Sequence, residues 1–351
     1  MEGLGFVRSH FDPCVYIRAD GTFIVIYVDD LLIIGCNIAV HAIRHMLAKR
    51  FDVVVLGEVK HFLGMLVSRD HEHCTISLGQ SGYVERLLSR FGLVDCHGVS
   101  TPLESKVKVL PFDAASDQPF DATECRRAIG GLCWLADATR PNIAFAVGLL
   151  GHFSATSGER HWLCVKRVLR YLAKTSGLDL KLGGDMSMEG LIESFTGYVD
   201  TDFAGDAMQR RSMTGFMFKI GVGAVVWHSR KGSITAVSTA DAEYIASATA
   251  IGALIWFREL LADVLRMESV DLPPTMLYND NAAVLSTFAD GDFRPHSRHI
   301  GVKYYQAREV VMDRTELDMR YCGTADMLAD GLTKGLAVGK HVGFVRMCTL
   351  E

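Results

Sequence analysis

Four acidic residues, Asp200, Glu243, Asp280 and Asp330, each lie at the edge of an apolar element and dozens of residues apart. No local motif spans such separations, so only a tertiary fold can gather them. Four carboxylates held together repel one another, and bound divalent cations are the usual remedy. The chain therefore reads as a framework for a cation-binding cluster. A second acidic pair, Asp29-Asp30, separates the β-branched and aromatic run Thr22–Val28 from Leu31–Ile34, and Gly35 follows. That pattern predicts a hairpin with Asp29-Asp30 as its two-residue turn. Solvated acids at a hairpin tip are the plainer reading of this pair; two adjacent carboxylates delivered by apolar strands also suit a cation.

The elements that must position the quartet follow from periodicity. Tyr198-Val199 leads as a strand into Asp200. Thr214–Ile220 and Ala224–His228 are further strands, with Gly221-Val222-Gly223 as the turn. Ser238 and Asp241 have capping-box spacing, which puts Glu243 in the first turn of a helix running through Ile245, Ala248, Ile251 and Leu254 to about Leu265. Met276–Tyr278 is a strand that Asp280 ends, and Asn281–Phe288 is a helix. A strand near Leu317–Tyr321 and a last helix carrying Asp330 complete the order.

Upstream, His41–Arg50 and Tyr83–Phe91 are short helices. Residues 104–120 read as a linker, on turn chemistry at Pro111, Asp117 and Pro119. Helices are expected over Glu124–Ala138, Asn142–Phe153 and Glu159–Lys174. The last is amphipathic and carries Arg160, His161, Lys166, Arg167, Arg170 and Lys174, either a solvated face or a phosphate-tracking surface.

With 351 residues, 49% hydrophobic and 22% charged, the chain is globular and long enough for two or three domains. A net charge of −5 is a poor whole-chain signature for nucleic-acid binding, although basic patches can be local. Nine scattered cysteines without a Cys-x-x-Cys pair make a zinc ribbon unlikely, and an odd count without a signal peptide suggests reduced thiols in a cytoplasmic or nuclear protein, not a secreted one. The longest apolar run, Phe23–Ile34, is broken by Asp29-Asp30, so no membrane span is expected.

Tyr27-Val28-Asp29-Asp30-Leu31-Leu32-Ile33-Ile34-Gly35 resembles the Tyr-x-Asp-Asp hairpin of reverse transcriptases, most closely in copia-type retrotransposon polyproteins. Gly5-Phe6 with Asp12-Pro13-Cys14, Phe62-Leu63-Gly64-Met65, Gln80-Ser81-Gly82-Tyr83 and Thr101-Pro102-Leu103 resemble the same family. Thr139-Arg140-Pro141 and Arg167–Leu172 resemble its segment joining polymerase to nuclease; the family usually has Asp where this chain has Asn142. The resemblance implies that Asp29 and Asp30 descend from polymerase metal ligands. The family's third polymerase carboxylate lies well upstream of the hairpin, and only 28 residues precede Asp29. Half a ligand set cannot clamp both attacking and leaving oxygens, so no polymerase activity is expected from this chain alone. The sheet of such a palm would present an exposed edge.

Tyr198–Gly205, Trp227–Lys231, Ser238–Tyr244, Asp280–Ala283 and Ala329–Lys334 are similar to the ribonuclease H part of copia elements, in the same order. The resemblance implies an α/β (α+β) chain: a truncated reverse transcriptase palm and thumb at 1–103, a linker and helical connection at 104–195, and a ribonuclease H-like mixed sheet with flanking helices at 196–345. It makes Asp200, Glu243, Asp280 and Asp330 ligands of two Mg2+ or Mn2+ ions that cleave the RNA strand of RNA–DNA hybrids, leaving a 5′-phosphate and a 3′-hydroxyl. RNA would be chosen through its 2′-hydroxyl. Arg210, Arg211, Arg230 and Lys231 are candidate backbone contacts, and each could be a plain surface charge. Asp202 and Asp326 are read as non-ligands, with Asp326 sharing the helix face of Asp330. Asp241 stands where the family usually has Glu, and Arg298-His299-Ile300-Gly301 with Tyr305 departs from its Lys-His-Ile-Asp and His. Other parts of a retroelement polyprotein are possible partners. The alternative is a decayed, non-catalytic nucleic-acid-binding fragment.

Overall fold

A computed structural model describes residues 1–105, 107–203, 211–232, 236, 238–289, 307, 310–311 and 316–351, and the chain is of the mixed α+β class. Two compact units emerge: residues 1–62 with 252–273, and residues 63–251 with 274–351. The boundaries drawn from sequence after residues 103 and 195 both fall inside the second unit.

In the first unit, β1 (Phe6–Arg8), β2 (Val15–Arg18), β3 (Phe23–Tyr27) and β4 (Asp30–Ile34) form an antiparallel sheet in chain order. The helix α1 (Asn37–Ala48) buries Ala39, Ile43 and Leu47, one residue per turn, and Ile43 and Leu47 pack with Phe6 and Ile24. A short strand β5 (His61–Phe62) follows. Tyr27 opposes Asp30, so the turn is Val28-Asp29 and not Asp29-Asp30; Asp30 is the first residue of β4. Val28 takes φ 54, a costly conformation for a β-branched residue, and the residue is 82% exposed. Both acids are exposed. Elsewhere in this unit the buried Arg258 guanidinium donates to the carbonyls of Ser269, Leu272 and Pro273.

In the second unit, β6 (Met65–Asp70), β7 (Thr75–Gly79) and β8 (Leu180–Gly183) pair antiparallel. Four helices share one core: α2 (Ser81–Arg90), α3 (Ala122–Ala138), α4 (Pro141–Gly151) and α5 (Glu159–Lys174). Asp121 caps α3, accepting from the Thr123 N–H at 2.8 Å, and Pro141 starts α4 where its missing N–H costs nothing. The expected linker 104–120 carries no helix or strand among its described residues, yet it is held: Asp117 pairs with Arg160, and the Leu110 carbonyl meets His161 Nε2 at 2.9 Å.

The basic face of α5 is largely committed to the chain itself. Arg167 donates to Glu104 at 2.9 Å and Thr101 at 3.1 Å, Arg170 to the His97 carbonyl at 2.7 Å, and Lys174 to Ser100 at 3.0 Å. His161 is buried, and burial lowers its imidazole's proton affinity. These cations strap the 97–104 segment and the 104–120 stretch.

Arg140 is 1% exposed. Its guanidinium donates to Asn142 Oδ1 at 3.1 Å and to the Thr175 carbonyl and hydroxyl at 2.9 and 2.7 Å; Asn142 donates to Tyr171, whose hydroxyl also meets His341 Nε2 at 2.9 Å. Removing one member leaves buried partners unsatisfied. Arg140→Ala is expected to destabilise this unit by about 3–5 kcal/mol in urea denaturation.

A short helix α6 (Met188–Glu193) precedes the sheet that carries the quartet. Its strands β9 (Thr196–Asp202), β10 (Met213–Ile220), β11 (Gly223–Lys231), β12 (Thr275–Asn279) and β13 (Leu317–Tyr321) run in the order β11-β10-β9-β12-β13. The first three are antiparallel, and β12 is parallel to both β9 and β13. A parallel pair needs a crossover, and α7 (Thr239–Leu265) lies between β11 and β12 in the chain. The helices α8 (Ala282–Ala289), α9 (Asp330–Thr333) and α10 (Val338–Met347) follow; α10 was not anticipated.

The expectation that no segment could cross a membrane is corrected on length and composition alone. An 18-residue window of α7 has a mean hydropathy of 1.4, and half of it is buried. The charges of α7 lie toward its ends, Asp241 and Glu243 at the start and Arg258, Glu259 and Asp263 near the close, and the buried half of the apolar stretch between them serves a core.

Candidate metal centre

The site is assembled at one end of the sheet. Asp200 lies on β9, next to β12, and Met276 pairs with Thr196 and Tyr278 with Tyr198. Continuing that register brings Asp280, one residue beyond β12, level with Asp200. Glu243 comes from α7. The Ser238 hydroxyl accepts from the Asp241 N–H at 3.1 Å, as the capping spacing predicts. Because α7 begins at Thr239, Glu243 enters the second turn and not the first. One carboxylate oxygen from each of Asp200, Glu243 and Asp280 lies within 4.8 Å of the others.

Asp330 lies outside this three-residue group. It is the first residue of α9, a helix of only four residues, so Asp326 lies in the preceding turn and shares no helix face with it. Lys334 Nζ contacts Asp330 Oδ1 at 2.7 Å and Asp200 Oδ2 at 3.7 Å. The Thr333 hydroxyl, fully buried, donates to Asp200 Oδ2. The Ser229 hydroxyl on β11 donates to the Leu332 carbonyl at 2.6 Å and pins α9 to the sheet.

Close approach of α9 depends on glycine. Gly215 on β10 pairs with Asp200, and a Cβ there would sit 2.7 Å from Thr333 Cγ2 and 2.8 Å from Leu332 Cβ. A methyl group at this point must push α9 away, and the Thr333 hydrogen bond that holds the Asp200 carboxylate goes with it. Gly215→Ala is therefore expected to weaken divalent-ion affinity about 10–100-fold, as loss of supporting contacts does, measured by calorimetric Mn2+ titration.

The electrostatics carry the signature of crowded acids. Burial first, then the charges of Asp200 and Asp280, push the Glu243 carboxyl up to about 8, against hydrogen bonds from Asn279 and the Thr201 backbone. Burial and the Asp200 charge also raise Asp280. Burial raises Asp330, against the Lys334 ammonium beside it. Burial raises Asp202, half-buried at the end of the same strand, and Lys334 opposes the shift. Burial pulls the Lys334 ammonium down, but Asp200, Asp330 and Asp280 outweigh it and hold it above its ordinary value.

An all-oxygen donor set, buried and mutually repelling, fits a hard divalent cation. Asp200, Glu243 and Asp280 offer the convergent atoms, and Asp330 stands at their flank through Lys334. Residue-type reasoning missed four supporting groups. Asn279, fully buried, donates from Nδ2 to Glu243 Oε2 at 3.3 Å and to Ser247 at 3.2 Å. Thr333, Lys334 and Ser229 were visible only as parts of family-like motifs, with nothing to mark them as site residues.

The basic candidates are less concentrated. Arg230 and Lys231 close β11, opposite Thr214 and Met213, at the sheet end that bears Asp200 and Asp202; Arg211 precedes β10. Arg210, and the departures at Arg298, His299, Ile300, Gly301 and Tyr305, lie outside the described residues. Asp29 and Asp30 belong to no three-ligand group among the described residues.

The family described as reverse transcriptase (RNA-dependent DNA polymerase) matches residues 1–105. The retrovirus-related Pol polyprotein from transposon TNT 1-94 of Nicotiana tabacum is 32% identical over 343 residues, covering 95% of this chain and 25% of that protein. The chain belongs to the copia-type retrotransposon polyproteins. The Pol polyprotein from transposon RE1 of Arabidopsis thaliana is likewise 32% identical over 341 residues, with 95% of this chain and 22% of the relative covered. This copia-type chain thus spans about a quarter of the length of these two polyproteins. Among solved structures, the ribonuclease H1 of Halobacterium salinarum aligns with a TM-score of 0.29 and 17% identity over 40% of this chain and 93% of its own.

Proposed function

We propose that residues 196–345 act as a ribonuclease H-type endonuclease that cleaves the RNA strand of RNA–DNA hybrids. Asp200, Glu243, Asp280 and Asp330 are its ligands for magnesium or manganese, two ions at full occupancy. The single observation that carries this reading is the convergence of three carboxylate oxygens to within 4.8 Å on elements far apart in sequence. Bound there, such ions supply Lewis acidity toward water and toward the departing 3′-oxygen.

The chain's own groups prepare the site. Glu243 gives up its proton when a cation arrives, because the repulsion that raises its pKa is then neutralised. Asn279 holds the Glu243 carboxylate, and Thr333 holds that of Asp200. Arg211, Arg230 and Lys231, with Arg210, are assigned to the nucleic-acid backbone. We assign no polymerase step to Asp29 and Asp30, which stand as vestigial ligands at an exposed hairpin. The polyprotein's other parts are the partners this reading implies.

Incubation of the full chain with Mg2+ and an RNA–DNA hybrid labelled on the RNA tests the proposal. Expected products carry a 5′-phosphate and a 3′-hydroxyl, and duplex DNA stays intact. Binding of the hybrid without cleavage, at any Mg2+ or Mn2+ concentration, would favour the non-catalytic fragment instead.

A further inference from the structure

We infer that Lys334 is a built-in counter-cation of this centre: its ammonium supplies the positive charge that Asp330 and Asp200 would otherwise draw from a second divalent ion. The inference rests on the metal-centre reading and adds to it a control on occupancy. The quartet is split in two. Asp200, Glu243 and Asp280 offer convergent oxygens, whereas Asp330 Oδ1 is ion-paired with Lys334 Nζ at 2.7 Å, with Asp200 Oδ2 at 3.7 Å from the same ammonium. Asp200 therefore serves both halves.

An amine one turn beyond an acid on a short helix is ordinarily a surface ion pair of little consequence. Here its partners are 4% and 6% exposed, while the lysine side chain keeps 41% of its surface in solvent. Two buried carboxylates hold the head, and the side chain stays partly open to solvent. Charge balance points the same way. Four carboxylates and one ammonium draw in one divalent ion strongly; a second must compete with a tethered charge that needs no binding entropy to be present. In the nucleic-acid-free protein one ion binds. The second binds only as Lys334 swings out, and a phosphate arriving with the hybrid offers the displaced ammonium a new partner.

Calorimetric and spin-resonance titration of the full chain with Mn2+, without nucleic acid, tests this. The wild type is expected to bind one ion tightly and a second at least tenfold more weakly. Lys334→Gln is expected to bind two ions, the second at least tenfold tighter than in the wild type. Lys334→Arg, which keeps the charge, is expected to retain the one-ion pattern. Two ions of equal affinity in the wild type overturn the inference without recourse to any variant. One ion in both wild type and Lys334→Gln overturns it while leaving the metal centre standing. No Mn2+ binding at all, matched by Asp200→Asn, overturns the metal centre and this inference together.

Discussion

Asp200→Asn is expected to lower hybrid cleavage on the order of a thousandfold while the chain still folds. Asp200 is the residue that joins the convergent acids to α9 and Lys334. It shares the convergent ligand group with Glu243 and Asp280, accepts from Thr333, and lies 3.7 Å from Lys334. Asparagine keeps an acceptor for the Thr333 hydroxyl and fits the same volume, so packing survives. It removes the charge on which cation binding depends, and Mn2+ affinity should fall in parallel. Asp326→Asn is the matching control. That residue lies in a turn before α9, and its replacement should leave the rate within about twofold. Cleavage unaffected by Asp200→Asn would sink the site assignment, whatever the hybrid assay shows for the wild type.

Glu243→Gln is expected to stabilise the metal-free protein at alkaline pH and to abolish its stabilisation by divalent ions. The folded carboxyl is raised from the ordinary 4.5 to about 8, first by burial and then by Asp200 and Asp280. An acid raised in the folded state binds more protons folded than unfolded between those two values. Stability is therefore greatest below the unfolded value, falls as pH rises through the interval, and is lowest above the folded value. At about 1.4 kcal/mol per unit, this one group costs on the order of 3–5 kcal/mol once it is fully ionised. Glutamine remains neutral and can still accept from Asn279. Urea denaturation in EDTA at pH 5 and pH 9 should show the wild type losing stability across the range and the variant losing much less. Asp202, Asp280 and Asp330 are shifted in the same direction by burial, so a smaller slope of the same sign remains. With saturating Mg2+ the order reverses, because only the wild type gains. An unchanged pH slope in the variant would show that Glu243 is not the group under repulsion.

Much of this was legible in the chain itself. Periodicity places α5 over Glu159–Lys174, the bounds the structure has, and β10 and β11 follow from the apolar runs on either side of the turn at Gly221. The order of acids, each at the end of an apolar element, is a property of the sequence alone, and so is the family. Local chemistry is enough for these because each signal lies within one helix or strand. What only the tertiary structure decided is partnership. The cations of α5 look identical to a nucleic-acid surface until their acceptors at 97–104 are seen. The hairpin turn moved to Val28-Asp29 because pairing register, and not turn propensity, sets which residues face each other. Asp330 carries no mark in the sequence to show that a lysine four residues on would stand between it and Asp200, in contact with both. That depends on the distance between α9 and β9, which the missing side chain of Gly215 permits.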